Sequence, residues 1–530
     1  MEHLKKNSNC RSCKGSSLQK VISLGSMPPA NAFLKKEDLN SKEPSFPLEV
    51  YFCKNCGFVQ LVDIVDPELL FRNYVYVSST SPVFIQHFKE LAGKIVSNFK
   101  LPKNSLVIDI GSNDGILLRP FKDMGMKVLG IDPAEKIAEI ATKSGIETMP
   151  VFFNSDVARN IAKAKGKAKL VCATSVFSHV DNLDEFLDGV NELLDEDGVF
   201  LIEVYYLKEL LEKNLFDTIY HEHLSYFTAK TMSALMERKG LELFDAEVTD
   251  THGATLRAYV QKKNGTHQIS KSVNELIKKE DEKHLNELDT YIKFSHKIDS
   301  NKKALLELLK KLKSQNKRIV GYGAPAKGNT LLNYFGIGPD ILDYIVDDSS
   351  WKQGLYSPGM RIPVVSAEHL SKQKPDYIFI LAWNFAKPIM KKLDGFDRFI
   401  IPVPVPSIVS STVEQDLDEI CQAIKEEAKK LEGSTVLVTG GAGFIGSYIV
   451  AVIDTLNNYY LKNPCKVISV DNHLVGKKNN LIKEIYSGHV DFVTHDVCTP
   501  FKHDGEVDYI ISAAGVASPV YYKKIPDRNY

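Results

Sequence analysis

The stretch VIDIGSNDG, residues 107–115, decides how the chain is read. A run of β-branched apolar residues ends in a turn built on Gly111 and Gly115, and a helical pattern follows, so the stretch reads as strand, turn and helix. Missing side chains let a ligand approach the backbone at such a turn. Asp109 stands ahead of the glycines, and Asp132 closes the next apolar run, KVLGID at 127–132. A carboxylate in the second position can accept both hydroxyls of a ribose. The acidic residue before a single GxxxG spacing favours S-adenosylmethionine over NAD, although a general nucleotide-binding turn would use similar residues.

Outward from this stretch, KLVCATSVF (169–177) and GVFLIEVYY (198–206) continue a series of strands separated by helical segments. Such alternation implies a parallel sheet in a doubly wound α/β domain, here spanning 71–265. It opens with YVYVSSTSPVFIQHFKELAGKIVSNF (74–99), a polar, aromatic loop leading into an amphipathic helix. The charged stretch 266–312 keeps Leu and Ile at three- and four-residue spacing and reads as a helical connection. KRIVGYGAPAKGNTLLNYFG (317–336) begins a second small α/β domain, 313–410, and a helical linker, 411–433, leads to a third nucleotide-type unit, 434–530.

Composition is that of an ordinary soluble chain. Sixty-six Lys and Arg residues against 67 Asp and Glu leave a net charge of -1, which gives no reason to expect nucleic acid or an anionic membrane as partner. Small molecules are the default ligand. The opening MEHLKKNSNC has no apolar run that could serve as a signal, so a cytoplasmic location is expected. STVLVTGGAGFIGSYIVAVI (434–453) has the length of a bilayer span, but its glycines stand at nucleotide-binding spacing.

Of eight cysteines, four form two CxxC knuckles: Cys10 and Cys13 in CRSC, and Cys53 and Cys56 in CKNC. Four thiolates satisfy tetrahedral Zn²⁺ and leave no position for water, so residues 1–70 are expected to form a domain around a structural zinc. Cys172, Cys421, Cys465 and Cys498 are scattered singly and are expected to be buried apolar residues.

The CxxC pair, YVYVSSTSP, DIGSNDG, FDTIYHEHLSYF (216–227), THGATLRAYV (251–260), GYGAPAKGNTLLN (321–333) and AWNF (382–385) come in an order that resembles the sugar C-methyltransferases acting on dTDP-4-keto-deoxysugars. The resemblance covers residues 8–410. It implies an α/β multidomain protein: a zinc-binding domain, a Rossmann-like methyltransferase domain holding S-adenosylmethionine, and a small Rossmann-like domain helping to anchor a nucleotide-linked sugar. It also implies a reaction in which a ketone at C4 acidifies the C3 proton, a base removes it, and the enolate takes the methyl group.

The metal reading of YHEH is weak, because His221 and His223 are two apart, not the four of HExxH. Histidines and tyrosines on a loop are also often mere partners of backbone groups. Enolisation needs a base whose pKa lies near the working pH, and donors facing the developing oxyanion. The resemblance assigns His223, Tyr220 and Tyr76 to the site. The expected roles are His223 as general base at C3, oriented by Glu222, with Tyr220 and Tyr76 placing the ketone; His221 is the spare candidate. His179 follows the fourth strand, where it is as readily structural, and Lys327 stands in a glycine-rich turn suited to a diphosphate or to close packing.

VLVTGGAGFIGS (436–447) carries Gly440, Gly443 and Gly446 in the pattern of extended short-chain dehydrogenases, with Asp471 and Asp496 as the adenosine-side acids. With AAGVASPVYY (513–522) it resembles the first half of UDP-glucuronate decarboxylases and nucleotide-sugar epimerases. NAD is therefore a possible ligand of this partial Rossmann unit. The YxxxK pair of that family is not found, YYKK (521–524) having the wrong spacing, so no dehydrogenase, epimerase or decarboxylase activity is expected, and a truncated fusion is one reading. Alternatives to a C-methyltransferase are an S-adenosylmethionine-dependent O-methyltransferase and an NAD-dependent nucleotide-sugar oxidoreductase or binding scaffold. No feature of the sequence sets an oligomeric state.

Overall fold

The computed structural model describes residues 3–72, 77–80, 82–249, 255–393, 395–473 and 488–515. Its contacts divide into two units, Met1–Ser300 with Gly323–Gln373, and Asn301–Tyr322 with Lys374–Tyr530. The expected domain 313–410 is thus shared, its segment Gly323–Gln373 belonging with the first unit.

In the first unit, the zinc module is built on an antiparallel sheet. The strand FPLEVYFC, Phe46–Cys53, alternates in burial, as a sheet with one covered face requires. It pairs with Leu18–Met27 on one side and Val59–Leu61 on the other. The fourth strand comes from far along the chain: Ser225 pairs with Gln60 and Tyr226 with Val59, so the segment following YHEH completes the sheet of the zinc module.

The seven-stranded sheet runs Leu241–Thr249, Thr255–Lys262, Leu194–Tyr205, Ala168–Thr174, Leu106–Ile110, Lys127–Ile131, Thr148–Met149. The last five are parallel, and LVIDI is buried along its whole length because helices cover both faces. Leu91, Ala92 and Ile95 of the helix Pro82–Asn98 pack on one face with Phe121, while Ala158, Ile161, Phe186 and Leu187 pack on the other. The sheet is mixed, not wholly parallel as the alternation had implied. Thr255–Lys262 lies antiparallel to both its neighbours. The connection from Thr249 to Thr255 is too short for a parallel crossover, which needs a dozen residues or more.

One charged network lies inside this sheet. Glu203 and Arg257 stand opposite each other across the strand pair, and Arg257 Nε donates to Glu203 at 2.6 Å while its Nη1 donates to Glu247 at 2.9 Å. Burial alone would raise the Glu203 pKa, but His87 and the guanidinium outweigh it and hold the carboxyl below its usual value. The helices Lys271–Glu282 and Leu288–Ser314 occupy the expected helical connection. The helix Ala326–Phe335 ends the glycine-rich turn, with Phe335 stacked on Phe216 at 5.2 Å.

In the second unit, Ile319–Tyr322, Tyr377–Ile380 and Arg398–Ile401 are parallel, with Ser407–Ser410 antiparallel at their edge. A separate parallel sheet orders Val490–Thr494, Lys466–Asp471, Thr435–Thr439 and Tyr509–Ser512. The helix Ser411–Ala428, expected as a linker, belongs to the core of this sheet's domain: Leu417 and Cys421 pack with Val450, Ala451 and Val452. Cys172, Cys421 and Cys465 are buried as expected, but Cys498 is exposed, because it follows Asp496 in a surface turn whose carboxylate accepts from the Cys498 amide at 3.1 Å. Among the described residues no helix is long and apolar enough to cross a membrane.

Removing one partner of a buried ion pair leaves the other uncompensated, at a cost of about 3–5 kcal/mol. Arg257→Met is therefore expected to lower amide-exchange protection of the strands Leu194–Tyr205 and Thr255–Lys262 by that amount. A second change, Glu203→Gln, is expected to restore most of it. Protection unchanged in the single variant would contradict this reading of the pair.

Candidate active site

The donor turn follows the strand Leu106–Ile110. Gly111 has φ +73° and a Cβ there would lie 2.1 Å from Val176 Cγ2, so both backbone and space demand glycine. Gly115 has φ +81° and closes the turn by donating to the Ser112 carbonyl at 2.9 Å. Both carboxylate oxygens of Asp132 accept from backbone amides, Asn113 and Ala134, each at 2.9 Å. The Ser78 amide donates to Asn113 Oδ1 at 2.9 Å, tying the segment ahead of the first helix to this turn. Tyr76 itself lies outside the described residues.

Three buried oxygens at the turn have no hydrogen-bond partner among the described residues: Asp109 Oδ1, Ser112 Oγ and Asp114 Oδ1. Burial, then the charges of Asp132 and Glu203, hold the Asp109 carboxyl well above its ordinary pKa. Native proteins rarely leave such groups orphaned. The turn therefore fits a ligand rich in N–H and O–H donors, which the amino group and ribose of S-adenosylmethionine supply.

The second half of the site is the YHEH loop. It leaves the turn Phe216–Thr218 and ends in the strand Ser225–Tyr226 that joins the zinc module. The two histidines diverge. His221 lies 3.1 Å from the Phe46 carbonyl through Nε2, meets the Phe46 ring edge-on at 6.1 Å, and is only 1% exposed. Burial pushes its pKa down to about 4, which makes it a neutral prop between loop and zinc module.

His223 faces the other way. Its Nδ1 lies 2.6 Å from the Thr218 carbonyl. A carbonyl can only accept, so Nδ1 carries the proton, and Nε2 is the basic nitrogen of the neutral ring. Around it converge Tyr220 at 3.9 Å, Tyr205 at 5.2 Å and His179 at 5.2 Å between ring centroids. His179 stacks on His223 at 21° and on Phe71 at 13°, and burial with the neighbouring His223 holds its pKa well below the ordinary value. The orienting contact at Nδ1 comes from Thr218, where Glu222 had been expected. The Glu222 carboxylate accepts from Asn31 Nδ2 at 2.7 Å, a residue of the zinc module.

Tyr205 was missed by sequence reasoning. It ends the strand Leu194–Tyr205, and the carboxyl ends of strands are where open α/β sheets bind ligands, so its position was the available signal. Lys327 is buried, and burial brings its pKa down to about 8 while Asp217 opposes the fall, so a carboxylate already acts on its ammonium. Asn329, two residues on, donates to the Ala30 carbonyl at 2.8 Å.

Among the described residues, one group of His, Cys, Asp or Glu is arranged to hold a metal: Cys10, Cys13, Cys53 and Cys56. Their Sγ atoms lie 3.7 Å apart for Cys10 and Cys56 and 3.6 Å for Cys13 and Cys53. A tetrahedron with Zn–S bonds of about 2.3 Å has edges of about 3.8 Å, so the four thiolates fit zinc.

The second unit repeats the donor-turn geometry. The Ala442 amide donates to Asp471 Oδ2 at 3.0 Å, and a Cβ on Gly446 would lie 2.1 Å from the Gly440 carbonyl, so helix and turn touch there. Gly443 donates to the Gly440 carbonyl at 2.9 Å. An open cleft of about 420 Å³ lined by Leu437, Thr439, Val470 and Phe501 adjoins the Asp496 turn.

The His221 environment sets a pH dependence. A folded pKa near 4 against 6.5 unfolded means that the unfolded chain binds more protons between these values, so stability is full above pH 6.5 and lost as pH falls toward 4. Amide protection of the strand Phe46–Cys53 is expected to fall by about 2 kcal/mol from pH 7 to pH 5. His221→Gln, which keeps a donor for the Phe46 carbonyl, is expected to flatten that slope. An unchanged slope would show that His221 is not its source.

Four family models match the chain: "Putative zinc binding domain" over residues 10–71, "Methyltransferase domain" over 84–246, "C-methyltransferase C-terminal domain" over 250–404, and "NAD dependent epimerase/dehydratase family" over 436–529. The chain is 36% identical over 406 residues to C-methyltransferase NovU of Streptomyces niveus, covering 76% of this chain and 97% of that protein. The C-terminal segment is 40% identical over 97 residues to UDP-glucuronic acid decarboxylase 2 of Arabidopsis thaliana, covering 18% of this chain and 20% of that protein, about a fifth of its length. The crystal structure of magnesium protoporphyrin IX methyltransferase (ChlM) from Synechocystis PCC 6803 with bound SAM overlaps 34% of this chain and 79% of its own at 16% identity, with a TM-score of 0.26. On the likeness to NovU and the succession of domain matches, the chain belongs to the family of S-adenosylmethionine-dependent C-methyltransferases, followed by an epimerase/dehydratase-type Rossmann unit.

Proposed function

We propose that this S-adenosylmethionine-dependent C-methyltransferase places the methyl group on C3 of a nucleotide-linked 4-keto-deoxysugar through an enolate. The observation that carries the reading is the contact of His223 Nδ1 with the Thr218 carbonyl, which presents Nε2 as a base among two tyrosines and a second imidazole. Hydroxyl methylation needs no carbon acid. A base in a ring of donors suits the removal of a proton beside a ketone.

The donor, when bound, supplies a methyl group on a positively charged sulfur. Asp109, Ser112, Asp114 and Asp132 at the donor turn are the residues that would hold it. His223 Nε2 takes the C3 proton, and the electron pair of that bond moves toward the C4 oxygen. A hydroxyl of Tyr220, assisted by Tyr76, donates to this oxygen and lowers the cost of the charge. C3 then forms its bond to the methyl carbon as the carbon–sulfur bond breaks. The proton left on His223 is released to solvent. Thr218 keeps the ring in one tautomer, while Glu222 is held by Asn31 and steadies the loop.

Residues 436–529, matched by the epimerase/dehydratase family, are the ones that would hold a dinucleotide such as NAD, through Gly440, Gly443, Gly446, Asp471 and Asp496.

The reading is tested by mass spectrometry of the full chain incubated in deuterated water with a dTDP-4-keto-2,6-dideoxysugar, with and without S-adenosylmethionine. Deuterium at C3 without the donor, and a methyl carbon on C3 with it, are expected. His223→Asn is expected to slow both by on the order of 100-fold or more while donor binding persists. Methylation of a hydroxyl with no exchange at C3 would replace this reading by O-methylation.

A further inference from the structure

We infer that Arg11, a residue inside the first zinc knuckle, positions His179 and His223, so that the zinc centre acts on the reaction through one buried guanidinium. This rests on the reading of His223 as the base.

Arg11 stands between Cys10 and Cys13 and is 1% exposed. Its amide donates to Gln60 Oε1 at 2.7 Å, fixing the knuckle to the module's sheet. Its side chain then reaches out of the module. Nη1 donates to the carbonyls of Leu61 and, at 3.3 Å, of Leu224. Nε donates to Asp181 Oδ1 at 3.2 Å, and Lys5 holds the other oxygen of that carboxylate at 2.9 Å. Leu224 is the residue after His223, and Asp181 is two residues after His179. One cation thus grips the chain just beyond each of two imidazoles that stack at 5.2 Å.

The chemistry favours positioning over simple cohesion. Arg11 is buried, and its guanidinium is paired there with the Asp181 carboxylate. An apolar residue of similar volume often stabilises a core more than a buried ion pair does. What an apolar residue lacks is the planar fork, which can serve a carbonyl and a carboxylate at once along fixed directions. Lysine, a point donor on a flexible stem, lacks it too. With Cα held by thiolates on either side, the fork has a rigid base. An error of about 1 Å in placing a base costs on the order of 100-fold in rate.

The test uses Arg11→Met and Arg11→Lys in the full chain. Zinc content by atomic absorption and S-adenosylmethionine affinity by calorimetry are expected to match the wild type. Methyl transfer is expected to lose on the order of 100-fold in kcat for Arg11→Met, with KM for the sugar nucleotide little changed and weak rescue by Arg11→Lys. In a His223→Asn background, Arg11→Met is expected to cost nothing more, since it acts through His223. In ¹⁵N-histidine spectra, both His223 and His179 are expected to shift. Unchanged signals, or a full additional loss in the His223→Asn background, would overturn the inference. Asp181→Asn, which leaves the knuckle intact, guards against a variant that loses zinc: it is expected to move the His179 signal and leave that of His223, and no movement would equally refute the proposal. Should the wild type show no exchange at C3, the reading of the base fails while the spectra still decide the part played by Arg11.

Discussion

The structure depends on a short strand pairing. Ser225 and Tyr226 add to Gln60 and Val59, and the Leu61 amide donates to the Leu224 carbonyl at 2.9 Å, so the loop carrying His223 is an edge of the zinc module's own sheet. A two-residue strand is marginal alone. It holds here because His221 and Arg11 seal it from either side, one on the Phe46 carbonyl and the other on the Leu224 carbonyl. The zinc module is therefore part of what places the proposed base, since removing its sheet would leave His223 on an unsupported loop.

The same pairing explains why two histidines separated by one residue do different things. Side chains two apart share a face only in a regular strand. In YHEH the chain turns, with the His223 amide donating to the Tyr220 carbonyl at 2.8 Å. His221 is thereby turned into the zinc module, and His223 toward Tyr205, Tyr220 and His179. Burial lowers the pKa of both His221 and His179, which disfavours a positive charge beside His223.

Much of this was legible in the sequence, for identifiable reasons. Cysteine spacing states a tetrahedral site directly, and a glycine turn after a β-branched run states a ligand approach, so the zinc module and the donor turn could be read. The cluster of Tyr220, His221, Glu222 and His223 could be seen, but its wiring could not. The partner of His223 is a backbone carbonyl, which has no sequence signature, and the partner of Glu222 is Asn31, 191 residues away. The antiparallel pair Leu241–Thr249 and Thr255–Lys262 was hidden inside a pattern read as α/β. The helix Ser411–Ala428 passed for a linker because its apolar face is narrow, and only its partner, Phe444–Tyr459, shows what it covers.

In the proposed mechanism the zinc module holds His223 in place, while the donor turn, built on the parallel sheet, stands without it. The direct measurement withdraws zinc from the full chain with a graded chelator and follows two quantities together, deuterium uptake at C3 of the 4-keto sugar and binding of S-adenosylmethionine. Uptake is expected to fall in proportion to the zinc removed while donor affinity persists. Uptake that continues in zinc-free chain with the donor site intact would contradict it.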